Sequence, residues 1–212
     1  MSEPAKILEN DLHWREEEIA SLKLLASRAD RGSAQQRALL RALWAMLYAH
    51  YEGFCKFAWD LYLETLGQLG LIRNSCCVPI AKFSLTKRFR ELRGNLSTDS
   101  MWTACTNEFS EWMNEQLTFE VPLETNSNLW PNLLVENSSS IGLPASKVDE
   151  HEFKLKALVS RRNDIAHGKK MVIATLEEYQ PYEEAALLVM HELAIAVLEK
   201  LETEGYLKHP HP

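Results

Sequence analysis

The sequence predicts an all-α, bundle-like fold, and three observations carry that prediction. Apolar residues recur at intervals of three and four along most of the chain, two capping-box signatures mark helix starts, and no segment alternates with the period of a strand or in βαβ order. The expected architecture is about five or six helices with an irregular insertion near residues 118–145.

The first helix is predicted from about Ala5 to Ser27, where Ile7, Leu8, Leu12, Ile19, Leu22 and Leu25 hold helical spacing, and it ends in the polar turn Arg28 to Ser33. Ser33 followed three residues later by Gln36 reads as a capping box that starts a second, longer helix. Leu40, Leu43, Trp44, Leu47, Tyr48, Tyr51, Phe54, Cys55, Ala58, Leu61 and Tyr62 form its apolar face, so it is the expected spine of the fold. A shorter basic helix follows from about Pro79 to Arg93. Another runs from about Asp99 to Leu117, with Trp102, Phe109 and Trp112 expected to face inward. Residues 118–144 hold Pro122, Pro131 and Pro144 among many Asn and Ser with no sustained period, which reads as an irregular excursion. Helix resumes near Ser146 and stops at Gly168, a residue type favoured just past a helix end. Thr175 with Glu178 is the second capping box, Pro181 is an early interruption, and Ala186 to Leu201 supply the apolar face of a long final helix.

Composition narrows the function classes. The 212 residues are 46% apolar and 25% charged with 8 Gly and 8 Pro, which excludes disordered and collagenous classes and leaves enough chain for a sizeable core. A net charge of -7 argues against a protein that coats nucleic acid or anionic membranes with its whole surface, while leaving room for a local basic site. Cys55, Cys76, Cys77 and Cys105 match neither a CxxC pair nor a zinc ribbon, and Cys76-Cys77 reads either as a redox pair or as two small buried residues. The segment MSEPAKILENDLHWREEE carries early acids and no apolar run of signal-peptide length, so a reducing cytoplasm is the expected compartment. The most apolar stretch, Ala185 to Leu198, is broken by His191 and Glu192 short of the roughly 20 residues of a membrane span, so no membrane partner is expected. No glycine-rich phosphate loop, HExxH or nucleophile elbow is present, and neither a metal site nor a cofactor is expected. His13, His50, His151, His191, His209 and His211 all lie in settings that favour surface or satisfied-core roles.

The exception is Leu155 to Gly168, LKALVSRRNDIAHG. On a helical wheel Leu155, Leu158, Val159, Ile165 and Ala166 form one apolar stripe with Arg162 at its centre, an odd place for a guanidinium that cannot be neutralised. Burial there calls for a carboxylate, several carbonyls or an anionic ligand. Asn163 and His167 share a second face, with Ser160 and Asp164 beside them. From Lys154 to Lys170 six basic residues, Lys154, Lys156, Arg161, Arg162, Lys169 and Lys170, stand against one acid, Asp164. This local excess of five leaves the rest of the chain at -12, and a phosphodiester is the obvious anion for such a site. A second basic run, Lys82 to Arg93, either extends that surface or is a solvated helix face. A purely structural alternative pairs Arg162 with Glu52 of the long helix and makes His167 a capping residue.

Arg162-Asn163-Asp164-Ile165-Ala166-His167 resembles the R-x4-6-H signature of the HEPN superfamily, with a polar residue after the Arg and a Gly after the His. Tyr48, Tyr51, Glu52, Gly53 and Phe54 are similar to the early-helix segment of stand-alone bacterial members, whereas residues 73–145 have no counterpart. The resemblance implies a single HEPN-like domain over residues 1–212 that dimerises so that two motifs face one another. It also implies a metal-independent endoribonuclease. Arg162 would hold the scissile phosphate, His167 would move protons, and Asn163, Arg161, Lys169 and Lys170 would bind or orient the substrate, with Asp164 and Glu52 behind them. The partners it implies are RNA, a second copy, and a cognate antitoxin or regulatory protein, in a toxin or antiviral defence role. The rival class is a non-catalytic HEPN module that binds nucleotide, RNA or a partner. Certain toxin members carry a Tyr two residues after the His that a partner nucleotidyltransferase modifies; Lys169 stands there in this chain, so that mode of control is not expected.

Overall fold

The computed structural model describes residues 2–94, 96–170, 173 and 175–208. His209 and His211 lie outside the described residues. Four long helices frame the fold: α1 (Glu3–Arg28), α2 (Ala34–Gln68), α9 (Glu152–Ala166) and α10 (Leu176–Glu202). Between α2 and α9 come α3 (Val78–Ser84), α4 (Thr86–Gly94), α5 (Thr98–Thr103), α6 (Phe109–Asn114), α7 (Pro131–Ser140) and α8 (Ser146–Glu150), with a π-helical turn at Ala104–Glu108 joining α5 to α6. Among the described residues β-pairing is confined to two isolated antiparallel bridges, Ile72 with Gln116 and Cys76 with Leu207.

The long helix α2 is the spine, packed along α1, α10 and α9. Apart from half-buried Leu61, its predicted apolar face is buried from Leu40 to Tyr62; Leu63 and Leu66 extend it, and Trp44, Tyr48, Tyr51, Phe54, Trp59 and Tyr62 supply the bulk of the core. Both predicted caps form: Gln36 N–H donates to Ser33 Oγ at 3.0 Å and Glu178 N–H to Thr175 Oγ1 at 3.2 Å. Side-chain donors then fix the neighbours, because Trp44 Nε1 donates to the Leu158 carbonyl of α9 at 3.2 Å and Trp59 Nε1 to Ser138 Oγ of α7 at 3.1 Å. Buried Glu183 of α10 accepts from Lys23 of α1 at 2.7 Å. Buried His50 of α2 lies 2.9 Å from Glu18 of α1, and burial is the main cause of its lowered pKa.

Three expectations are corrected. The 118–145 insertion contains α7, whose first residue is Pro131; a proline at that position sacrifices no helical hydrogen bond. Leu123, Leu129, Leu134, Ile141 and Leu143 of this insertion are buried in the main core. Pro181 does not interrupt the final helix, which passes through it; the carbonyl left without a donor is that of the exposed Glu177. Trp102 and Phe109 do not face inward, being 71% and 44% exposed. Of the whole stretch 98–114 only Ala104 is buried.

Arg73 explains how that stretch is nonetheless held. Its buried guanidinium donates to Ser84 Oγ, the Trp112 carbonyl, Glu115 Oε2 and Thr118 Oγ1 at 2.9 to 3.0 Å, tying α3 to the end of α6. The four cysteines are free; Cys55 and Cys76 are buried, Cys77 half-buried and Cys105 exposed, and burial raises the Cys76 thiol above its usual pKa.

Candidate functional site

The motif occupies the last turn and a half of α9, and its end is fixed by local chemistry. Gly168 adopts φ +72°, its N–H donates to the Ile165 carbonyl at 3.1 Å, and Lys169 N–H donates to the Asp164 carbonyl at 2.9 Å. This paired bonding across a left-handed glycine is a Schellman stop, and it leaves His167 as the last residue before the turn. The His167 side chain is exposed and makes no hydrogen bond or ion pair among the described residues.

Arg162 is half-buried and held from two sides. Its guanidinium carbon lies 4.5 Å from the centre of the Tyr48 ring, and Nη1 donates to Asn128 Oδ1 and to Asn163 Oδ1, both at 3.0 Å. Tyr48 is itself anchored, since Leu129 N–H donates to its hydroxyl at 2.9 Å. Burial, helped by the neighbouring Glu52 carboxylate, raises the Tyr48 phenol well above its usual pKa and keeps it a neutral platform. The Asn128–Leu129 step therefore clamps both members of the stack. The expected alternative, an Arg162–Glu52 ion pair, is not formed: amide oxygens and an aromatic face take the place of the carboxylate. A guanidinium carries five N–H donors, and among the described residues Nε and Nη2 of Arg162 have no partner.

The remaining predicted residues divide. Arg161 Nη1 donates to Glu178 of α10 at 2.9 Å, and its guanidinium sits 4.6 Å from the Trp44 ring and 5.3 Å from Tyr182, so it joins α9 to α2 and α10. Lys169 Nζ pairs with Asp164 Oδ1 at 2.7 Å on the exposed rim, and Lys170 is exposed. Arg41 of α2 donates to the Lys169 carbonyl at 2.9 Å and steadies the backbone just after the motif. The sequence reading missed Asn128 and Arg41. Asn128 lies 34 residues from Arg162 in a segment without periodicity, and no local signal marks it. Arg41 lies 128 residues before Lys169, and nothing in the local pattern of α2 marks it.

The six basic residues of this segment are thus unequal. Arg161 and Lys169 are already neutralised by carboxylates, and Lys156 pairs with Glu152 at 2.6 Å, whereas Arg162 has only neutral partners. A positive group with two of its five donors satisfied in fixed geometry and the other three unused is suited to grip one planar or tetrahedral oxyanion. Among the described residues no group of three or more His, Cys, Asp and Glu is placed to hold a metal ion, and no helix is long and apolar enough to cross a membrane.

No curated protein and no solved structure matches the chain. The model of a family described as MAE_28990-like HEPN matches residues 4–206, nearly the whole chain.

Proposed function

The chain belongs to the MAE_28990-like HEPN family, and from that membership we propose that it is a metal-independent endoribonuclease working as a homodimer in the cytoplasm. The observation that carries this reading is Arg162, whose guanidinium is fixed by Tyr48, Asn128 and Asn163 with Nε and Nη2 unused. RNA brings its own nucleophile, so the protein has to supply only a cation for the phosphate and a group that moves protons near neutrality. Arg162 takes the first role and His167 the second. The 2'-oxygen loses its proton to an imidazole and attacks phosphorus; the bond to the 5'-oxygen breaks, and that oxygen leaves with a proton from an imidazolium. Asn163 holds Arg162 in place, and Lys170 adds charge along the strand. A toxin or antiviral defence role, held in check by an antitoxin or regulatory protein, is part of the same proposal.

Helix geometry supports the proposed dimer. His167 lies five positions after Arg162, which is about 140° around the axis and about 7.5 Å along it. Arg162 turns toward α2 while His167 turns outward, so a second copy is the natural source of a facing imidazole. Phe153, 79% exposed, lies on the same outward face as Ala157, Ser160, Asp164 and His167. Small residues allow close approach there, and a solvated phenylalanine gains by being covered. The expected dimer is two-fold symmetric, with the C-terminal ends of the two α9 helices meeting across the axis. Sedimentation checks this: Phe153→Glu is expected to shift the protein toward its 24.3 kDa monomer and to reduce cleavage in parallel. A variant that stays dimeric, or a monomer that cuts RNA at the full rate, rejects the composite site.

The chemistry is tested by incubating purified protein with RNA in excess chelator and analysing the ends. Cleavage is expected to persist and to leave a 2',3'-cyclic phosphate or its 3'-phosphate together with a 5'-hydroxyl. Loss of cleavage in chelator, or 5'-phosphate ends, overturns the mechanism. Binding of RNA without any cut supports the rival reading of a non-catalytic HEPN module.

A further inference from the structure

The stretch 98–114 presents to solvent what its sequence had marked for burial. Met101, Trp102 and Phe109 are exposed, and beside Phe109 lies a groove of about 310 Å³ between α3, α4 and α6. Val78, Ala81, Leu85, Phe89, Phe109 and Met113 give it an apolar floor. Val78, at 77% exposure, is among the most solvated apolar side chains of the described residues. The charged residues lining the groove are Lys82 and Lys208, with no carboxylate among them, in a protein whose net charge is -7. Neither lysine has an ion-pair partner among the described residues, and the same holds for Arg90 and Arg93 on the adjoining α4. By contrast, Lys87 and Arg88 of α4 are already paired with Glu120 and Glu115.

We propose that this groove is the docking surface for an acidic amphipathic helix of another protein. An apolar floor with an unneutralised basic rim matches a helix that has apolar anchors at i, i+3, i+4 and i+7 and carboxylates on either side of them. Four of the six floor side chains, Val78, Ala81, Leu85 and Met113, are not aromatic, which favours a peptide over single-stranded RNA gripped by successive stacking on aromatic faces. None of the lining residues belongs to α9, so the surface is separate from Arg162 and His167 and does not depend on the nuclease reading.

The test uses the full chain and two labelled synthetic peptides of about five helical turns, identical in their Leu and Phe stripe, one flanked by Glu and the other by Lys. Fluorescence anisotropy is expected to show the Glu peptide binding at least about tenfold more tightly, with the preference shrinking in high salt. Val78→Asp and Lys82→Glu, both at exposed positions, are expected to weaken the Glu peptide while leaving the far-ultraviolet circular dichroism unchanged. Equal binding of the two peptides, or no binding of the Glu peptide at millimolar concentration, overturns the proposal. So does a labelled oligouridylate that displaces the Glu peptide and is itself weakened by Val78→Asp, which assigns the groove to nucleic acid. A sedimenting dimer abolished by Val78→Asp overturns it in favour of a second copy.

Discussion

Replacing His167 by alanine is expected to lower RNA cleavage by about 100- to 10,000-fold, the range contributed by a positioned general acid or base. The fold is expected to be untouched. His167 is exposed, its imidazole has no partner among the described residues, and the turn that ends α9 is made by backbone bonds and by Gly168. The capping N–H of His167 donates to the Asn163 carbonyl at 2.9 Å and survives in any non-proline variant. Urea unfolding of His167→Ala should therefore overlay that of the parent chain while cleavage collapses. An unaltered rate rejects His167 as the proton carrier, and a large loss of stability shows that the side chain serves the fold instead.

What the sequence made legible was local. Ser33 with Gln36, Thr175 with Glu178, and the glycine at 168 each act within four residues, and each forms the predicted structure. The apolar face of α2 was equally plain, because one periodic face of a 35-residue helix has to be buried against something. Misreadings came where the outcome depended on partners distant in the chain. Trp102 and Phe109 have helical spacing, but amphipathicity cannot say whether another element arrives to cover them, and here none of the described elements does. Pro131 counts in the sequence toward an irregular segment but starts a helix, and the Asn- and Ser-rich composition around α7 hides a helix held largely by burial of Leu134, Asn137 and Ser138. At the site, the wheel showed that Arg162 points into an apolar stripe and hence needs partners. It could not show that they are Asn128 and the face of Tyr48, which chain folding brings together from 34 residues upstream in one case and 114 in the other.

Arg162→Lys separates the two things that Arg162 is proposed to do. Lysine keeps the charge and can still rest on the Tyr48 ring, but it has no planar fork with which to hold Asn128 and Asn163 on one side and an oxyanion on the other. Cleavage is expected to fall by at least about 100-fold, the usual cost of removing one donor aimed at developing charge. Stability should fall by only about 1–2 kcal/mol, since two hydrogen bonds to neutral groups are lost and a weaker cation–π contact remains. Asn128→Ala supplies the control. It removes one anchor of the guanidinium without touching the unused Nε and Nη2, so it is expected to lower cleavage less than Arg162→Lys for a similar loss in urea. Equal loss of cleavage in both variants shows that fixing the guanidinium matters as much as the guanidinium itself and assigns Asn128 a positioning role at the site. Full activity in Arg162→Lys refutes a bidentate grip on the phosphate, because a single ammonium would then serve as well. If Arg162→Lys loses stability and keeps its rate, the half-buried arginine is a structural pin, and the anion must be sought elsewhere along the basic segment.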